Sequence, residues 1–155
     1  MTSELQWLAA QPVVDLVRYR AESHVVFRHG PSRRSLVLPE YTQLPAGFNP
    51  RTVALAARLR AENPDADPAG LARAAMNLLR TGGYNYTLSP GVYGEHTADE
   101  FWFDRKEGFC EHIASSFVVL MRALDIPARI VTGYQGGEIN AVDGFWVLRL
   151  SLIHI

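Results

Sequence analysis

The stretch RKEGFCEHIASSFVVLMRALDIPARI, residues 105–130, constrains the fold more than any other part of the sequence. Within it Ile113, Phe117, Leu120, Met121 and Leu124 recur at i, i+4, i+7, i+8 and i+11, which predicts one apolar stripe on a helix. The helix begins near Cys110 and is ended by Asp125-Ile126-Pro127. Such a stripe has to be covered by another layer. The candidate cover follows directly: 128–134 is a β-rich run, Gly136-Gly137 turns the chain, and GFWVLRL, 144–150, is a second strand after NAVDG. A buried helix against an antiparallel sheet, hence an α+β fold, is the expectation.

Upstream, VVDLVRYRAESHVVFR (13–28) alternates roughly between apolar and polar residues and is β-branched, RHGPSRR breaks it, and SLVLPEY resumes it. That pattern predicts an N-terminal β-hairpin. YTQLPAGFNP is a turn-rich connector, so 1–45 is taken as an N-terminal β segment with its linker and 46–155 as the core. Asn49 followed by Pro50 marks one helix start, and Asp67 followed by Pro68 marks a second, stopped by Gly82-Gly83. YNYTLSPG reads as a short strand into a turn. The charge balance, 15 basic against 16 acidic residues with no basic run, argues against nucleic acid as the partner. No apolar run approaches the ~18 residues of a membrane span. The N-terminus has acids where a signal peptide would carry bases. A single cysteine rules out an internal disulfide and a cysteine-rich zinc site, and no histidine–carboxylate spacing suggests a metal.

That cysteine, Cys110, falls in the first turn of the predicted helix. Backbone N–H groups without helical partners and the positive end of the dipole favour a thiolate there, and the same groups can hold a developing oxyanion. The plain alternative is a small buried apolar cysteine. A histidine on the strands that follow could face the helix start across the packing, as in papain-type folds.

The segment from Asp99 to Arg149, DEFWFDRKEGFCEHIASSFVVLMRALDIPARIVTGYQGGEINAVDGFWVLR, resembles the core of bacterial transglutaminase-like proteins. It is most similar to the membrane-anchored TgpA-type group, whose transglutaminase-like domain faces the periplasm. Two motifs carry the resemblance, G-F-C-E-H with A-S-S-F-V-V-L-M-R-A, and I-P-A-R-I-V-T-G-Y-Q-G-G-E. A looser similarity runs upstream through VRYR, LPAGFNPRTVALAARLR and YNYTL. The resemblance implies a transglutaminase-like, papain-like fold and a Cys-His-Asp triad with Cys110 as nucleophile. It also implies thioester-mediated acyl transfer on protein glutamine, without metal or organic cofactor. Partners would be protein or peptide substrates of the cell envelope, at the periplasmic face of the inner membrane, with membrane attachment only through segments absent from this chain. A cysteine protease or amidase, with water as acceptor, and a non-catalytic envelope-binding domain are the other readings.

The family pattern continues after the arginine roughly as Q-S-D-A-H-A-W-A-E, and here the chain departs from it. From Leu150 to Ile155 only Ser151 and His154 keep its register, and no acidic third member follows. His154 either stands in the place of the base or falls there by coincidence. The resemblance therefore implies a fragment, truncated at both ends and poor in turnover by itself. Of the other histidines, His112 falls on a different helix face from Cys110 and should pack locally, and His24 and His29 should be exposed. His96 precedes a Thr97–Glu100 capping box. Phe101, Trp102 and Phe103 are core anchors, or else Trp102 borders the thiol and helps form the oxyanion site or acyl groove. Asp104 to Glu107 read as a solvated loop. Tyr134 and Gln135 line the cleft from the adjacent strand, or else Tyr134 sits in the core.

Overall fold

Proline at the first helical position has no N–H to lose and a φ already suited to the helix, and both long N-terminal helices of this chain start that way. In the computed structural model of the chain, which describes residues 9–18, 20, 22, 24, 26, 38–131 and 137–147, α1 runs Pro50–Glu62 and α2 runs Pro68–Thr81. Asp67 caps α2 through its side chain, accepting from the Gly70 N–H at 2.7 Å. Gly82 closes the helix with its N–H on the Leu78 carbonyl at 2.8 Å, and Gly83 takes the positive φ of 74° that the exit needs.

The chain then forms a two-residue strand, β1 (Asn85–Tyr86), and a short helix, α3 (Thr97–Asp99). α3 runs on into wide π-type turns over Glu100–Arg105, followed by β2 (Glu107–Gly108). β1 and β2 pair in parallel, Asn85 opposite Glu107 and Tyr86 opposite Gly108. The long core helix, α4, is Cys110–Ala123. Asp125, at a φ of 58°, ends it: its N–H bonds the Arg122 carbonyl at 2.9 Å and the Ile126 N–H bonds the Met121 carbonyl at 2.9 Å. That is a Schellman closure with aspartate in the place usually held by glycine. An antiparallel pair, β3 (Glu138–Ile139) with β4 (Trp146–Val147), follows.

The chain divides into two units, Met1–Arg33 and Arg34–Ile155. In the larger unit α4 packs mainly on α1 and α3, with the wide turn, α2 and β2 around it. Leu55 and Leu59 of α1, Leu71 and Ala75 of α2, Phe101 and Trp102 of the wide turn, and Leu120, Met121 and Leu124 meet in one buried cluster. Full burial of each large member contributes roughly 1.5–3 kcal/mol. Arginines tie the C-terminal end of α4 to its surroundings: Arg60 of α1 donates to the Leu124 carbonyl, and Arg122 reaches the carbonyls of Ala128 and Gln43 at 3.0 and 3.1 Å.

Three expectations change here. The described residues of 13–28 form no strand, and the described part of the expected second arm, Leu38–Tyr41, is a 3-10 turn; residues 27–37 lie outside the described residues. Pro39 lies in that turn and has no N–H to give a ladder. Of the strands expected over the core helix, 128–131 form no ladder beyond a single bond from the Ala128 N–H to the Tyr41 carbonyl, 3.0 Å. Residues 132–136 and 148–150 lie outside the described residues. The stripe of α4 is also rotated slightly. Leu120, Met121 and Leu124 are buried together with Ala114 and Ser116, whereas Ile113 and Phe117 are only partly covered.

Candidate active site

Phe109 enters α4 in extended backbone and Cys110 is its first helical residue, as the sequence predicts. The thiol is free and half-buried. The chain reaches it through Gly108, where space decides the residue: a Cβ there would stand 2.7 Å from the Cβ of His112, closer than real Cβ atoms come. Glycine at 108 thus lets β2 lie directly on the first turn of α4. His112 packs locally, as expected. Its ring lies 4.6 Å from that of Tyr93 and edge-on to Phe109 at 4.4 Å, and its Nδ1 is buried without a hydrogen-bond partner among the described residues.

Tyr93 donates its hydroxyl to the Glu107 carbonyl. Burial raises its pKa above the usual 10.0; the Arg105 charge opposes that and the Glu107 and Glu100 carboxylates add to it. Arg105 holds the loop that carries Tyr93. Its guanidinium donates to the Pro90 carbonyl at 3.0 Å, the Val92 carbonyl at 2.6 Å and Glu100 Oε2 at 3.1 Å. It also covers the Tyr93 ring at 4.7 Å. Glu100 accepts the Gly94 N–H at 2.7 Å with its other oxygen.

The loop 104–107 is solvated as expected, with Asp104, Arg105 and Lys106 exposed, and it is also tied down at three places. Asp104 pairs with both carboxylate oxygens to Arg51 (2.9 and 2.8 Å), Arg105 grips the preceding loop, and Glu107 is in β2. The Thr97–Glu100 capping box does not form. Thr97 donates back to the Gly94 carbonyl at 3.1 Å and Glu100 goes to Gly94 rather than to the helix start.

Trp102 is 2% exposed and sits under α4 with its indole N–H given to the Ser116 carbonyl at 3.2 Å. Phe101 and Tyr84 pack on it at ring separations of 5.5 Å each. Tyr84 donates to the Trp102 carbonyl at 3.0 Å, and burial raises the pKa of its hydroxyl. His24 is exposed as expected, 3.8 Å from Glu22. His29, Tyr134, Gln135 and His154 lie outside the described residues. Two adjoining grooves, of about 330 and 240 Å³, share Leu55, Arg58 and Phe103 in their walls, and neither is lined by Cys110. Among the described residues no cluster of three metal-binding side chains exists, and no helix is long and apolar enough to cross a membrane.

Tyr93, Arg105 and Asp99 were not singled out from sequence. Their roles depend on contacts between segments far apart in the chain, and no local spacing signals them.

A cysteine heading a core helix, with a short β pair leading into it, places the chain in the α+β class of transglutaminase-like and papain-like folds. The profile of the Transglutaminase-like superfamily matches residues 53–150, and the chain belongs to that family. It is 40% identical over 107 residues to a protein-glutamine gamma-glutamyltransferase of Pseudomonas aeruginosa, covering 69% of this chain and 16% of the relative. It is 32% identical over 101 residues to the uncharacterized protein YebA of Bacillus subtilis, covering 63% of this chain and 13% of the relative. The periplasmic domain of TgpA from P. aeruginosa superposes with a TM-score of 0.70 at 36% identity, over 79% of this chain and 42% of that one. The same domain bound to ethylmercury gives 0.66 at 38%, over 75% and 42%. The chain thus spans less than half of each of these relatives.

Proposed function

We propose that this chain carries part of a cysteine acyltransferase acting on protein glutamine, with Cys110 as its nucleophile. The observation that carries the reading is the half-buried Cys110 as first residue of α4, in a chain 40% identical to a protein-glutamine gamma-glutamyltransferase. The Cys110 thiolate adds to the carboxamide carbon of a glutamine side chain, and the oxyanion rests on first-turn N–H groups that lack helical partners. The C–N bond breaks, ammonia leaves with a proton from an imidazolium, and a thioester remains. A primary amine attacks the thioester and gives its proton to the imidazole; the C–S bond breaks, leaving a new amide and the Cys110 thiolate beside the restored imidazolium. The proposed base is His154, with an acidic residue of the longer protein fixing its ring. Trp102, whose N–H already serves Ser116, supports α4 from below in this scheme. The likeness to a periplasmic domain supports substrates in the cell envelope.

The test is incorporation of a fluorescent primary amine into a glutamine-bearing protein, with thioester at Cys110 read by mass spectrometry in a single turnover. Cys110→Ala should remove both signals, since losing the nucleophile of a comparable triad costs ~10⁶ in turnover. One equivalent of ethylmercury, a thiol reagent, should do the same. Incorporation that survives Cys110→Ala would falsify the assignment. Release of ammonia without amine incorporation would make water the acceptor and the activity an amidase. His154→Ala should abolish turnover if His154 is the base, and leave it unchanged if another group serves.

A further inference from the structure

The start of α4 is held from one side by a chain of contacts that begins in the loop before α3. Arg105 binds two carbonyls of that loop and covers the ring of Tyr93. Glu100 fastens both the arginine and the end of the loop at Gly94. Tyr93 then touches the helix start twice: its hydroxyl goes to the Glu107 carbonyl in β2, and its ring lies on His112, which lies on Phe109. Glu107 and Phe109 are three and one residues before Cys110. An arginine on two carbonyls, a carboxylate and a ring is fixed in direction as a lysine in its place would not be.

We propose that Tyr93, oriented by Arg105, is a positioning residue for Cys110. It fixes the entry of β2 into α4, so that the sulfur and the first-turn N–H groups keep the mutual geometry that carbonyl attack requires. It touches no reacting atom. The inference rests on Cys110 being the nucleophile. It reaches beyond that reading by naming residues on a separate loop that set the geometry of the thiol.

Cys110 is the chain's one thiol, so two reagents can separate positioning from exposure. Acylation by p-nitrophenyl acetate passes through an oxyanion and needs sulfur and N–H groups in register. Exchange with dithiodipyridine needs only a reachable thiolate. Tyr93→Phe keeps the ring and loses the bond to Glu107; Arg105→Lys keeps the charge and loses the fork over two carbonyls. Each should slow acylation about 10-fold while exchange changes less than about 2-fold, a loss within the ~10² that a 1 Å misplacement can cost. Arg73→Lys, on an exposed face of α2, should leave both rates unchanged. Should Tyr93→Phe lose its cooperative melt, Arg105→Lys carries the same test. Equal loss in both reactions, or no loss in either, overturns the proposal while leaving Cys110 as nucleophile. Acylation of the unaltered protein no faster than that of Cys110→Ala would remove the nucleophile itself, and the positioning role with it.

Discussion

Asp99 shows how far one buried carboxylate can replace local capping. It is 3% exposed, and its two oxygens accept the N–H groups of Arg51 and Thr52 at 3.0 and 2.7 Å and the Thr52 hydroxyl at 2.6 Å. Those N–H groups belong to the second and third residues of α1, the ones an N-cap side chain normally takes. Asn49, the residue at the N-cap, sits at a φ of 53° and makes no side-chain bond to its own helix. Its side-chain oxygen instead accepts from Ala98 and Asp99 of α3 at 3.0 and 3.3 Å, and its N–H donates to His96 Nδ1 at 3.2 Å. Each helix start is capped by the other's residue. Asp99→Ala should therefore cost ~2–3 kcal/mol in urea unfolding, by loss of a cap and exposure of a buried hydroxyl without partner. Asp99→Asn should cost clearly less, since one oxygen remains. A loss under ~0.5 kcal/mol for the alanine variant, well below the usual cost of losing a cap, would show that water replaces the carboxylate without penalty. The sequence marks Asn49-Pro50 correctly as a helix start, but the identity of the cap is a matter of tertiary contact and leaves no local trace.

Helix α4 was legible almost to its last residue, because a long apolar stripe, a glycine before it and an aspartate–proline exit all agree. What the stripe does not fix is how deeply each of its members sits. Phe117 is the largest of them, yet it is only partly covered, while Leu120 is 0% exposed. Leu120→Ala is accordingly expected to cost ~2–5 kcal/mol, and Phe117→Ala less than Leu120→Ala despite the greater volume removed. Chemical denaturation of the two variants side by side decides this, and the reverse order would mean that α4 is rotated from the orientation described. The short strands were less legible. Two residues of pairing carry no alternation to read, so β2, directly before the thiol, has no signature at all. The clamp of Arg105 and Tyr93 was missed for a related reason: four charged residues in a row read as a solvated loop unless their partners are known.

At the scale of the molecule, the aromatic cluster under α4 links stability to pH on the alkaline side. Burial raises the pKa of Tyr84 above the usual 10.0, so the folded state favours the neutral phenol that donates to Trp102. The contribution of such a group is fully present below the unfolded pKa and is lost as pH rises through the folded one. Thermal melting should hardly change from this source between about pH 7 and 9 and should weaken above about pH 10. Tyr84→Phe should melt lower at neutral pH, and its deficit should narrow above pH 10; a constant deficit would mean that Tyr84 titrates as it does unfolded. Family membership, unlike these details, was readable from the residues around Cys110 and from the I-P-A-R run, and the comparisons agree with it. The exchanged caps bear on how the chain folds. Asn49 and Ala98 are 49 positions apart, and Thr52 and Asp99 are 47. Neither helix start can be completed by its neighbours in sequence, and each is finished at the moment the other docks. That couples the two segments into one cooperative step of high contact order, slower to assemble than two self-capped helices and with little to gain from forming either alone.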